Sequence, residues 1–333
     1  MFDCSADVKA FHAKNVTLQM THRTEMRIRR DANRERLKTR LDIQPEYFIK
    51  QGSYAMKTMI QDPDNDYDID DGVYFSKDSI KKSNGEYMSP KEVRKMLCEA
   101  LKDERFNRQP IVKTNCVRVF YEAGYHVDMP IYRIDGDLYE LASGDKWLSS
   151  RSSEVEEWFD DKNQSLSPDT DDGRQFRRIV RFLKKFARSR KTWKSEIASG
   201  FIITKLASEC YVSDADREDL ALRSTMQKIY TRLQGSLFVT HPVSMGMFLT
   251  DGIEDPSVVF FRDKLEDALD TLSILDSEDC DKQKALSAWD SVFNTTFFSE
   301  RVSSKSASNT LANLVSSKED PQAVEKRGGG RFA

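Results

Sequence analysis

Cysteine is scarce and scattered. Cys4, Cys98, Cys116, Cys210 and Cys280 stand far apart, with no Cys-x-x-Cys and no cysteine-histidine cluster. This excludes a disulfide framework and a cysteine-based zinc module, and reduced, mostly buried thiols are expected. Histidine is scarcer still, with only His12, His22, His126 and His241. No convincing serine or cysteine triad can be assembled. No apolar run approaches the roughly 18 residues of a membrane span. The opening Met1-Phe2-Asp3-Cys4-Ser5 lacks the basic and apolar regions of a signal peptide. The expectation is therefore a cytoplasmic protein with no membrane partner. A strong charge of one sign is absent too: 52 Lys and Arg oppose 55 Asp and Glu, for a formal net charge of −3. That balance argues mildly against a long nucleic acid as partner.

What is present suits two packed subdomains, since 333 residues exceed the usual single core and 38% are hydrophobic, although composition does not by itself point to an enzyme. The first ~40 residues read as helical, with polar Arg- and Lys-rich stretches between Leu18 and Leu41. Strands are expected from about Glu46, Asp66, Ile111, Gly124 and Asp137, interrupted by a helix from Pro90 capped by Ser89. From Ser150 the pattern changes, and after the loop-like Ser165 to Gly173 segment almost only helical periods follow. The acidic stretch from Glu154 to Asp172 has no Ca²⁺-loop spacing and reads as a solvated connector. The expected division is an N-terminal helix plus sheet domain over 1–160, a helical domain over 161–302, and a tail over 303–333.

Chemistry concentrates in the sheet part. In Tyr67-Asp68-Ile69-Asp70 an apolar residue separates two acids, so in a strand Asp68 and Asp70 share a face. Two like charges that close are costly without a cation. The strand Gly124-Tyr125-His126-Val127-Asp128-Met129-Pro130-Ile131-Tyr132 puts Val127, Met129 and Ile131 on one side and His126 and Asp128 on the other. Asp128 can then complete a three-carboxylate cage of hard oxygen ligands, suited to Mg²⁺ or Mn²⁺ carrying a nucleotide phosphate. Upstream, Gly52-Ser53 follows a strand and precedes a helical turn, a junction where backbone N–H groups receive phosphate. His126 shares the face of Asp128 and reads as a surface or supporting histidine rather than a general base.

A phosphate cradle, a paired-carboxylate strand and a third carboxylate, in that order, resemble the DNA polymerase β-like nucleotidyltransferases. Gln51-Gly52-Ser53-Tyr54, Asp68-Ile69-Asp70-Asp71-Gly72-Val73-Tyr74-Phe75 and Tyr125-His126-Val127-Asp128-Met129-Pro130-Ile131-Tyr132 are similar to the bacterial cGAS/DncV-like members of that superfamily. The likeness continues in Arg181-Phe182-Leu183-Lys184-Lys185-Phe186 and in Ala198-Ser199-Gly200-Phe201-Ile202-Ile203-Thr204, where Phe186 stands for the family's tryptophan and Ala198 for its proline. It spans roughly residues 8 to 300. The resemblance implies an α+β fold, with a polymerase β-like mixed sheet half packed on a helical half and the active site in the cleft between them.

It also implies a function. The expected enzyme joins two nucleoside triphosphates, ATP and GTP or others, into a cyclic dinucleotide of the cGAMP type, a second messenger read by a downstream effector in anti-phage (CBASS) defence. Two Mg²⁺ ions, or Mn²⁺, would sit on Asp68, Asp70 and Asp128, and Gln51, Gly52, Ser53, Lys184 and Ser199 would bind nucleotide. The zinc insertion by which animal relatives sense DNA is absent from this sequence. Ten of the residues from Arg174 to Lys194 are Lys or Arg. Arg177, Arg181, Lys184 and Arg188 form a basic stripe beside the apolar Phe176, Ile179, Val180, Leu183, Phe186 and Ala187. Apart from Lys184, that stripe reads as a solvated face. The Ser- and Gly-rich tail, ending in Lys326 to Ala333, reads as a mobile terminus. The resemblance adds Ala333 as a candidate for conjugation by a ubiquitin-transfer-like partner. Two other readings stay open: an enzyme adding nucleotides to RNA or tRNA ends, and a catalytically inactive nucleotide-binding module.

Overall fold

The computed structural model describes residues 1–62 and 67–301, so the tail and Ala333 lie outside the described residues. Helix α1 (Ser5–Phe11) continues through a wider-turned segment, His12–Val16, and α2 (Met20–Arg40) follows. Strand β1 (Tyr47–Gln51) runs directly into the single turn α3 (Gly52–Ala55), and β2 (Asp68–Ser76) comes next. Helix α4 (Pro90–Leu101) begins as the sequence dictates. The Ser89 hydroxyl accepts from the Glu92 N–H at 3.3 Å, and the Glu92 carboxylate accepts from the Ser89 N–H at 2.8 Å.

Six strands complete the sheet: β3 (Ile111–Val112), β4 (Val117–Phe120), β5 (His126–Met129), β6 (Ile131–Asp135), β7 (Leu138–Ser143) and β8 (Lys146–Ser149). The expected strand from Gly124 is therefore two. Pro130 has no N–H to offer the ladder and divides it, while its carbonyl accepts from the Val73 N–H at 2.8 Å. Asp70 pairs with Gln51 and with Asp128, and Tyr74 pairs with Tyr47 and with Tyr132. Hence β1 runs antiparallel along one edge of β2, and β5 and β6 run parallel along the other. Beyond them β4 and β7 pair antiparallel with β5 and β6, and β3 and β8 close the far margin.

The pleat sorts the residues. Ile69, Val73, Phe75, Val127, Met129 and Ile131 pack with Met26 and Leu37 of α2 and with Val93 and Leu97 of α4 in one apolar core. Asp71 turns toward that side as well, fully buried and paired with Arg34 of α2. Asp68, Asp70, His126 and Asp128 alternate with the core residues and take the opposite face.

The helical half comprises α5 (Ser152–Leu166), α6 (Gln175–Ala187), α7 (Gly200–Cys210), α8 (Glu218–Gly235), α9 (Pro256–Leu272) and α10 (Lys282–Phe293). Its core gathers Phe159, Phe182, Leu206, Phe261 and Trp289, and takes in Cys4, Val8, Phe11 and Val16 from the chain start. The opening segment thus packs with the helical half. The acidic stretch is no connector over its first part: Glu154 to Leu166 lie in α5, because Phe159 anchors the helix in the core while the acids face out. The expected boundary at 160 accordingly falls inside α5. Among the described residues no helix is long and apolar enough to cross a membrane.

Candidate active site

A cleft of about 540 Å³ opens between the halves, a size typical of small-ligand sites. Gln51, Gly52, Ser53, Thr58, Asp68 and Asp70 line it from the sheet side, and Ser152, Lys184, Arg188, Ala198, Gly200, Phe201 and His241 from the helical side.

Strand register brings the acids together. Asp68 lies opposite His126 and Asp70 opposite Asp128 in the parallel β2–β5 pair. The side chain of Asp68 is 54% exposed and that of Asp128 only 12%, so the cluster runs from solvent into the protein. Burial, then the Asp128 and Asp68 charges, push Asp70 up to about 7. Burial acts in the same direction on Asp68. There the His126 hydrogen bond, Nδ1 to Oδ1 at 2.8 Å, and the Arg118 charge outweigh it and hold Asp68 below the usual carboxylate range.

Arg118 was not anticipated. It stands opposite Asp128 in the β4–β5 ladder and donates from Nε to Asp128 Oδ1 at 2.7 Å and from Nη2 to Oδ2 at 2.6 Å. The signal lay in Val117-Arg118-Val119-Phe120, whose apolar alternation marks a strand that carries Arg118 on the acidic face. Among the described residues, no three His, Cys, Asp or Glu side chains already converge as a closed metal site. The donor set nevertheless fits a divalent cation: strand register puts Asp70 beside Asp128 and on the same face as Asp68, and a bound cation would relieve an Asp70 carboxyl raised by burial and then by those two acids. Asp68 and Asp70 offer oxygens to such an ion. Asp128 is shared with Arg118.

At the cradle the chain needs glycine. Gly52 has φ +62°, and a Cβ there would press on the Asp70 carboxylate, with Asp70 Cγ at 3.3 Å. Its backbone therefore passes directly against the acid cluster, and Ser53 follows on the cleft wall. The Gln51 amide is engaged within the protein: Nε2 donates to Tyr74 Oη at 2.9 Å and Ser152 Oγ at 3.0 Å, and Oε1 accepts from Tyr132 Oη at 3.0 Å. It lines the cleft while tying β1 to β2, β6 and α5.

The basic stripe of α6 is solvated only at its end. Arg188 is exposed, whereas Arg177, Arg181 and Lys184 are buried, as is the neighbouring Arg178, because they satisfy carbonyls, a hydroxyl and carboxylates that the fold brings to this helix. Arg177 Nε donates to the Met56 carbonyl at 3.1 Å, and Arg181 Nε and Nη2 donate to the Lys57 carbonyl at 3.0 and 2.8 Å. Lys57 has φ 55°, so these contacts hold a left-handed residue just after the cradle. Lys184 Nζ donates to Thr58 Oγ1 at 2.7 Å. Burial, then the Arg181 and Arg188 charges, bring Lys184 down to about 7, which leaves an ammonium site short of negative charge on the cleft wall. Lys185 turns away, donating to the Gln61 carbonyl at 3.0 Å. Ser199 caps α7, accepting from the Ile202 N–H at 3.3 Å, between the cleft residues Ala198 and Gly200.

Residues 46–132 match a family model described as cyclic GMP-AMP synthase DncV-like, nucleotidyltransferase domain. Solved structures share the fold over most of both chains. Vibrio cholerae DncV, in a complex with ATP, GTP and 5MTHFGLU2, aligns with TM-score 0.70 at 16% identity, covering 87% of this chain and 94% of DncV. Escherichia coli MS115-1 CdnC with ATP aligns with TM-score 0.65 at 18% identity, covering 88% and 98%. CdnC has also been solved in a complex with HORMA-deltaN, which aligns with TM-score 0.63 at 18% identity over the same shares.

Proposed function

From a chain that carries a DncV-like nucleotidyltransferase domain, and is therefore a nucleotidyltransferase, we propose a cyclic dinucleotide synthase. It takes two nucleoside triphosphates, ATP and GTP in the first instance, and makes a cGAMP-like messenger for an effector in anti-phage signalling. The observation that carries this reading is the single cleft in which Gly52-Ser53, the Asp68–Asp70 pair and Lys184 face one another. DncV with ATP and GTP and CdnC with ATP support the substrate class.

Asp68 and Asp70, with Asp128, would hold two Mg²⁺ ions, or Mn²⁺. Such ions, when bound, supply electrophilic stabilisation of phosphate oxygens and lower the pKa of a coordinated hydroxyl. The protein's own part is charge and position. Backbone N–H groups at Gly52 and Ser53 would receive the triphosphate, and Lys184 would regain its full charge against it. Ser199 would add a hydroxyl from the α7 cap. The acceptor ribose hydroxyl attacks the donor α-phosphorus and pyrophosphate leaves; a second such step within the linear intermediate closes the ring. No protein nucleophile is required.

Incubation with labelled ATP and GTP and Mg²⁺, followed by phosphatase and mass spectrometry, tests the proposal. A phosphatase-resistant small product with the mass of a cyclic dinucleotide is expected. Extension of added RNA with no such product would favour an end-adding enzyme, and no turnover an inactive module.

A further inference from the structure

The fold places a cation inside the acidic cluster. Besides its two bonds to Asp128, Arg118 Nη2 lies 3.2 Å from Asp68 Oδ1, so one guanidinium bridges two of the three acids. The side chain starts from β4, where Arg118 is paired with Ile111 of β3 on one edge and Asp128 of β5 on the other, and it is 17% exposed, so it is held in place rather than swinging in from solvent. His126 and Lys113 are the other basic groups facing Asp68, but neither is bound to Asp128 in this way. A planar fork gripping both oxygens of a carboxylate is among the most directional ion pairs available to a protein.

We propose that Arg118 is the internal counter-ion and positioning residue of this cluster. It holds Asp128 in line with Asp70 while no metal is bound, and by occupying Asp128 and repelling other cations it weakens the cluster's own affinity for divalent ions. Full loading then depends on the nucleotide, whose phosphates bring the negative charge that balances guanidinium and metal together. This inference rests on the reading of Asp68, Asp70 and Asp128 as divalent-metal ligands.

Mn²⁺ titration followed by the electron paramagnetic resonance of the free ion tests it, with and without a non-hydrolysable ATP analogue. Without nucleotide, Arg118→Gln should bind Mn²⁺ about tenfold or more tightly than the wild type. Its melting temperature should fall in EDTA and recover on adding Mn²⁺, because three acids have lost their cation. Arg118→Lys, which keeps a charge but cannot bridge two oxygens, should lie between the two, and it carries the comparison if circular dichroism shows Arg118→Gln unfolded. With the analogue present the affinity gap should narrow. Equal nucleotide-free Mn²⁺ affinities in wild type and both variants would overturn the proposal and leave Arg118 a cross-strand ion pair. Asp70→Asn separates this from failure of the metal reading itself: Mn²⁺ binding that survives Asp70→Asn, or that is absent even with the analogue, would overturn both.

Discussion

Two charges at this site oppose folding, and both can be measured. Asp70 is raised to about 7 by burial and by Asp128 and Asp68. In the unfolded chain it ionises near 3.8, so the native state binds the extra proton and loses stability as pH rises from about 4 to about 7. Asp70→Asn removes that cost. In EDTA its advantage over the wild type should grow across this window, to on the order of 2 to 4 kcal/mol at neutral pH, while turnover is lost. Urea melts at a series of pH values check it, and a constant gap would show that Asp70 does not titrate there. Lys184 works in the other direction, lowered from 10.5 to about 7 by burial and then by Arg181 and Arg188. Between those values the unfolded chain holds more protons, so stability rises with pH through the window and the cost is full below it. Lys184→Met should therefore be the more stable protein at pH 7, with the difference closing by pH 10. The same variant should lose nucleotide affinity roughly ten- to a hundred-fold, read by isothermal titration. Lys185→Ala, whose ammonium serves the Gln61 carbonyl, should lose much less.

Elements hold these groups, and the cradle is the tightest join. Gly52→Ala forces a Cβ into a left-handed backbone and onto Asp70. It should cost roughly 1 to 3 kcal/mol of stability and abolish turnover, whereas Ser53→Ala should fold normally; urea melts and product assays separate the two. Helix α6 is the second join, since it pins residues 56–58 through Arg177, Arg181 and Lys184. Arg181→Met should raise hydrogen exchange at the amides of residues 57–61 and raise the KM for nucleotide, with little change across α9 and α10. Unchanged exchange there would mean that the segment holds itself. The acid-bearing strands were legible because alternation declares a face: Asp68-Ile69-Asp70 and His126-Val127-Asp128 could be oriented from spacing alone. The role of α6 was not. Helical period correctly separated its basic residues from its apolar ones, but whether a basic stripe meets water or another segment's carbonyls depends on a contact some 120 residues away in sequence, such as Arg181 with Lys57. Gln51 was obscure for the same reason, its partners Tyr74, Tyr132 and Ser152 being distant in the chain. Arg118 was obscure likewise: alternation gives its face, but its partners Asp128 and Asp68 lie on other strands.

At the scale of the whole molecule, the cleft is a seam between two separate apolar cores, and its walls come from both. A nucleotide that touches Gly52 and Ser53 on one side and Lys184 and Ser199 on the other would link those cores, while an empty cleft leaves Lys184 and Asp70 each at an electrostatic cost. Binding should therefore stabilise both halves together. At a hundred times its Kd, a non-hydrolysable ATP analogue with Mg²⁺ should add about 2.7 kcal/mol to unfolding and move the melting transition as one step. Hydrogen exchange should slow on both walls at once, at residues 51–58 and at 198–203. Asp70→Asn should lose the Mg²⁺-dependent part of the shift and Lys184→Met the part that remains without Mg²⁺, because the two sit on opposite walls and answer to different charges. Protection confined to the sheet half, with residues 198–203 exchanging as before, would mean that nucleotide binds the sheet alone and would remove Ser199 from the site.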